Sequence, residues 1–238
     1  MLGLGNSIIS GAALEDGFSI ADVPGIQTWL KFNEGLADSS GVLTWTDSSG
    51  NNNGISEDHG SQGFSLEISG DGALQMNTLT SGGTSVNASL TSEIDLTGAF
   101  TIFMVVDLED SLMNETVLQG SGTNFFRIAH GGTDAKFRFK FGGVSDSIVT
   151  ASTAPSNSKA LFRIERSGSN VVAFYEDDTN LNGGALATAA GTFSINKIGA
   201  TQNGPEDSKF YEFIVFNELV SDANIALIEA DIKTRNSL

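Results

Sequence analysis

The chain has 238 residues, no cysteine, and a formal net charge of −17 from 29 acidic against 12 basic side chains. Without thiols it holds no disulfide framework, thiolate zinc cluster or cysteine nucleophile, and its negative charge makes nucleic-acid phosphates and anionic lipid unfavourable partners. A hydrophobic fraction of 39%, 28 glycines and no apolar run of membrane-spanning length predict short strands joined by many turns.

Residues 1–20 read as an arm ahead of one domain over 21–238. Met1 to Ala13 places no basic residue before its apolar positions and has no long apolar run, so it does not read as an export signal. Gly3, Gly5 and Gly11 prevent a regular helix and leave Leu2, Leu4, Ile8 and Ile9 as apolar candidates for insertion into a partner's groove.

Strand patterns begin near Trp29, in the segment through Phe32, and continue at Val42 to Thr46, Ala73 to Leu79 and Ser85 to Leu90. Phe100 to Leu108 is apolar on both faces, which predicts a central strand. Thr116 to Leu118, Phe125 to Ala129, Lys136 to Phe141, Ser147 to Thr150, Ala160 to Arg166, Asn170 to Glu176, Phe193 to Ile198 and Phe210 to Phe216 follow, separated by turn residues. In Lys136 to Phe141 cations and rings alternate, so three rings share one face and three cations the other. Near the C-terminus the period becomes helical. Ser221 can cap, Ile225, Ile228 and Ile232 share one face, and Lys233 and Arg235 suit the last turn.

Several of these segments together resemble the concanavalin A-like lectin/glucanase superfamily, in its laminin-G-like branch. The likeness is carried by the Trp29 segment, Trp45-Thr46-Asp47-Ser48-Ser49-Gly50-Asn51-Asn52-Asn53-Gly54, Leu96-Thr97-Gly98-Ala99-Phe100-Thr101-Ile102, and Phe210 to Ile232. It implies an all-β fold, a two-sheet antiparallel jelly-roll sandwich with a short C-terminal helix. The opening Met1 to Gly11 looks like that of virion proteins in tailed phages of marine bacteria, which implies a structural setting and no chemistry.

Glucanases of the superfamily present a retaining carboxylate pair as E-x-D-x-E or E-x-D-x-x-E. Glu93-Ile94-Asp95 starts that pattern, but Thr97 or Gly98 stands where the second glutamate belongs. The only histidines, His59 and His130, lie beside glycine and outside any motif. Calcium is the one metal that the composition suits, through Asp47, Asn51 and Asn53 or through Asp177, Asp178, Asn180 and Asn182, although Asp and Asn in such turns ordinarily bond the backbone. No cofactor is expected. Sugar binding needs an exposed ring beside polar groups; Trp29 and Trp45 read as core, while Tyr175 and Tyr211 are placed to face outward. Arg127, Lys136, Arg138, Lys140, Lys159, Arg163 and Arg166 fall in one block, which makes a basic stripe if their strands are neighbours.

These features point to a non-enzymatic structural or adhesion protein of a tailed-phage virion, docked through its arm on the major capsid or a tail protein. The alternative is a lectin-like module for cell-surface glycans. A second copy of the chain is a further candidate partner; nucleic acid and membrane are not.

Overall fold

A computed structural model describes residues 17–60, 64–78, 86–107, 114–121, 124–129, 136–140, 147–150, 158–181, 191–200 and 208–238. Leu2, Leu4, Ile8, Ile9, His130 and Asn182 lie outside these residues. A 3-10 turn at Ile20–Asp22 precedes β1 (Ile26–Leu30), β2 (Leu36–Ser39), β3 (Val42–Trp45), β4 (Ile55–Asp58), β5 (Phe64–Ile68) and β6 (Leu74–Thr78). Then come β7 (Val86–Leu96), β8 (Phe100–Asp107), β9 (Asn114–Gln119), β10 (Phe125–Ala129), β11 (Lys136–Lys140) and β12 (Ser147–Thr150). The last elements are β13 (Ala160–Arg166), β14 (Val172–Glu176), β15 (Thr179–Asn180), β16 (Phe193–Ala200), β17 (Lys209–Phe216) and α1 (Asp222–Asn236).

The strands form two antiparallel sheets, as the resemblance implies. One runs β15-β14-β13-β8-β17-β6-β5, with β1 also paired to β17; the other runs β12-β11-β10-β9-β16-β7-β4-β3-β2. Their facing sides make the main core, where Phe100, Ile102, Met104, Phe213 and Val215 of the first sheet meet Trp45, Leu118, Phe126, Ile195 and Ile198 of the second.

The opposite side of the first sheet is also buried. Phe103 and Val105 of β8 and Ile214 and Phe216 of β17 pack with Ile225, Ile228 and Ile232 of α1, and Ile20 and Val23 close the same cluster. This explains why β8 is apolar on both faces. Ser221 caps α1 by accepting from the Asn224 N–H at 3.3 Å, and Lys233 and Arg235 fall in its last turn. No helix of the described residues is long and apolar enough to cross a membrane.

A β-bulge between Phe210 and Glu212 breaks the alternation of β17. Phe210 enters the sandwich, whereas Tyr211 joins the helix-side cluster and Glu212 bonds helix residues. Tyr211 is therefore buried, and its predicted outward placement is corrected. The expected basic stripe is corrected too. β13 belongs to the helix-covered sheet, while β10 and β11 belong to the other, so Arg163 and Arg166 are separated from Arg127 and Lys140. Arg166 is fully buried between the layers, where it donates to the carbonyls of Leu96, Gly98 and Gly191.

Candidate binding face

The two sheets differ on their outer sides. α1 and the 3-10 turn cover the eight-stranded sheet; among the described residues no helix lies on the nine-stranded one. On that sheet Ala88, Ile198, Leu118 and Phe126 fill the sandwich, so by the period of two the intervening positions of β7, β16, β9 and β10 face away from it.

Register aligns those positions. Ser89 pairs with Lys197, Lys197 with Gln119, Gln119 with Phe125, and Phe125 with Lys140. The result is one row crossing five strands, each member half-buried. At about 4.8 Å per strand, Lys197 and Lys140 bracket roughly 14 Å. Lys140 Nζ lies 6.0 Å from the centre of the Phe125 ring, and the Arg127 guanidinium lies 4.0 Å from the same ring. Arg127 Nε donates to Thr116 Oγ1 at 2.7 Å, and Arg138 stands opposite Arg127 in the β10–β11 ladder. The row therefore combines a ring, two ammonium groups, an amide and a hydroxyl.

Other candidates are used by the fold. Glu93 and Asp95 lie farther along β7, within the strand and apart from one another's chemistry: Glu93 Oε1 accepts from the Ser121 N–H at 2.7 Å, and Asp95 Oδ1 accepts from Ser194 Oγ at 2.5 Å. His59 Nε2 is 3.3 Å from Asp38 Oδ2, and its Nδ1 accepts from the Leu66 N–H. Trp29 and Trp45 are buried, as their setting predicts. Tyr175 is half-buried, with the Arg163 guanidinium 3.8 Å from its ring centre.

The acidic turns hold themselves together. Asp47 Oδ1 accepts from the N–H groups of Trp29 and Ser49, both at 2.8 Å, and Oδ2 from Ser49 Oγ and the Asn53 N–H, both at 2.9 Å. Asn51 and Asn53 donate their amides to carbonyls of β1 at 2.9 Å. Three backbone N–H groups and the Ser49 hydroxyl thus engage both Asp47 oxygens. Asp177 and Asp178, with φ of 44° and 70°, form the two-residue turn between β14 and β15. Among the described residues no group of three or more His, Cys, Asp or Glu could hold a metal ion.

Glu212 and Glu229 are buried carboxyl groups that the periodicity did not mark, and Arg163, expected in the basic stripe, is buried as well. Glu212 Oε1 accepts from Trp29 Nε1 at 2.8 Å and from Arg235 Nη2 at 2.8 Å, while Oε2 accepts from Asn236 Nδ2 at 2.7 Å. Arg163 donates to Glu229 at 2.7 Å and is also paired with Glu165.

Element order and pairing together define a two-sheet antiparallel β-sandwich. No protein-family model matches the sequence, and no curated protein does. Among solved structures, the botulinum neurotoxin serotype D binding domain is similar at TM-score 0.57 and 12% identity, over 87% of this chain and 52% of that one. The receptor-binding domain of botulinum neurotoxin D is similar at 0.55 and 13%, over 90% and 54%. Trypanosoma rangeli sialidase, in complex with 2,3-difluoro-KDN, is similar at 0.52 and 12%, over 89% of this chain and 33% of that one. The chain spans about half the length of the toxin domains and a third of the sialidase, and at these identities the likeness is one of fold.

Proposed function

We propose that the protein is a non-enzymatic adhesion module that recognises a surface glycan on the outer face of its nine-stranded sheet. The observation that carries this reading is the asymmetry of the sandwich: one outer face is sealed by α1, and the other presents the row from Ser89 to Lys140. A ring flanked by hydrogen-bonding groups suits a sugar, whose apolar face stacks while its hydroxyls are bonded. The use of Glu93 and Asp95 in bonds to Ser121 and Ser194 supports binding without hydrolysis. Receptor-binding domains and a sialidase among the proteins of similar fold support a binding role by analogy.

A tailed-phage particle is the setting in which we place the module, on the likeness of its opening residues to virion proteins. Leu2, Leu4, Ile8 and Ile9 would anchor the arm in a capsid or tail protein. Two experiments test the reading. The full chain applied to an array of neutral and acidic surface glycans should give specific hits without cleaving them, and an empty array or a cleaved glycan would reject adhesion through sugars. Deleting residues 1–13 should leave a folded protein that no longer joins the particle; normal incorporation would remove the arm's docking role.

A further inference from the structure

Lys159, Asn236 and Glu212, distant in sequence, meet where the last turn of α1 reaches the start of β13 and the bulge of β17. We infer that Lys159 and Asn236 join through an isopeptide bond, Nζ to Cγ, with Glu212 carrying the proton between them. Lys159 Nζ donates to the Asn236 main-chain carbonyl at 2.7 Å. Cγ of Asn236 is connected to that carbonyl through Cα and Cβ, so the amine stands within one side chain's reach of an amide carbon. Asn236 Nδ2, the nitrogen that has to leave, donates to Glu212 Oε2 at 2.7 Å. Asn236 is 1% exposed, yet its Oδ1 has no hydrogen-bond partner among the described residues, and a buried acceptor in that state calls for an explanation.

The surroundings suit attack by an amine. Lys159 Nζ lies 3.9 Å from the centre of the Tyr211 ring and 4.8 Å from that of Phe32, and these rings meet edge to face at 5.5 Å. Burial, the largest influence, lowers the pKa of Lys159 against the charges of Asp71, Asp107 and Glu212, which enlarges its share of free amine. Glu212 is held through Oε1 by the Trp29 indole and Arg235, with Oε2 on the amide. The step balances without a co-reactant. The free amine attacks Cγ, and the carbonyl electron pair moves to Oδ1. Glu212 takes a proton from Nζ and delivers it to Nδ2; the Cγ–Nδ2 bond then breaks as the carbonyl reforms, and ammonia departs.

Tryptic peptide mapping of the purified full chain tests the link. Trypsin does not cut at an acylated lysine, so the wild type should yield residues 141–163 joined to 236–238, about 17 Da below the sum of the two peptides. Lys159→Arg and Asn236→Ala should each lack this species. Glu212→Gln, on protein whose circular dichroism matches the wild type, should accumulate it at least about tenfold more slowly. Cleavage after Lys159 with 236–238 released at full mass would overturn the link. So would the same mass loss confined to 236–238, which marks a succinimide of Asn236 with the Ser237 nitrogen. Formation at the wild-type rate in Glu212→Gln would overturn the proton-carrying role of Glu212. The wild-type map decides the link even where a variant does not fold.

Discussion

Arg163 Nε donates to Glu229 Oε1 at 2.7 Å, joining β13 to the middle of α1. The same carboxyl is hydrogen-bonded to Asp178 in the β14–β15 turn, and Lys233 Nζ reaches Asp178 at 2.6 Å. A bond between two carboxyls requires a proton. Burial first, and the bond to Asp178 second, raise Glu229 to about 7 against the opposing pull of Arg163. The bond from Glu229 lowers Asp178.

A carboxyl raised above its unfolded value of 4.5 contributes stability that is complete below that value and is lost as pH rises through about 7. Glu229→Gln keeps an acceptor for Arg163 and an N–H for Asp178, so it should remove this part of the pH dependence. Thermal melts from pH 5 to pH 8 should show the wild type losing about 3–6 °C relative to the variant. Parallel melting curves across that range would contradict a proton held between Glu229 and Asp178.

Glu212 anchors the other end of α1. Its side chain is 1% exposed and accepts from Trp29, Arg235 and Asn236, with Arg235 also bonded to Asp231 at 2.9 Å. Glu212→Ala takes the acceptor from the Trp29 indole N–H and one of the acceptors from each of the half-buried Arg235 and the buried Asn236, and should cost about 3–5 kcal/mol in urea unfolding. Glu212→Gln retains one acceptor and should lose less. A cost under about 1 kcal/mol for the alanine variant would mean that the cluster contributes little beyond packing.

The sequence showed strands wherever alternation was strong and failed where it was not. Phe125–Ala129, Ser147–Thr150 and Ala160–Arg166 have the expected bounds, because their neighbours are turn residues. Leu36–Ser39 and Ile55–Asp58 were unmarked because each has few apolar residues, and their pairing comes from neighbouring strands. Which sheet a strand joins depends on contacts distant in sequence, so the basic block gave no sign that β13 pairs with β8 while β11 pairs with β10. The bulge that turns Tyr211 inward changes one position in an otherwise regular pattern. The row across the nine-stranded sheet was legible only at Lys140, whose alternation with rings is local; Ser89, Gln119, Phe125 and Lys197 are assembled from four other strands by register.

Asp47 is expected to act as a clamp for the turn after β3. Its two oxygens take four donors, one of them the Trp29 N–H of β1. Asp47→Ala should cost about 2–3 kcal/mol, and Asp47→Asn, which can accept on only one oxygen, roughly half of that. Calcium and chelator should each move the wild-type Tm by less than about 1 °C, since the carboxylate is committed to the backbone. A rise of several degrees at millimolar calcium would show that the turn's oxygens reorganise around a cation.

Arg166 should prove among the least replaceable side chains of the sandwich. It leaves the end of β13 in one sheet and donates to Leu96, the last residue of β7, to Gly98 in the link from β7 to β8, and to Gly191 just before β16. Burial lowers its pKa, but an arginine remains charged at any pH the protein survives, and its planar group satisfies several carbonyls at once. The Phe100 ring, 4.9 Å away, covers the guanidinium. Arg166→Met fills much of the same volume yet leaves those carbonyls without a donor, for a loss of about 3 kcal/mol or more. Arg166→Lys keeps the charge but has no fork to span Gly98 and Gly191, so it should recover less than half of the loss. Limited proteolysis should then cut the 96–99 link faster in both variants than in the wild type; unchanged cutting and unchanged unfolding would show that the carbonyls find other donors.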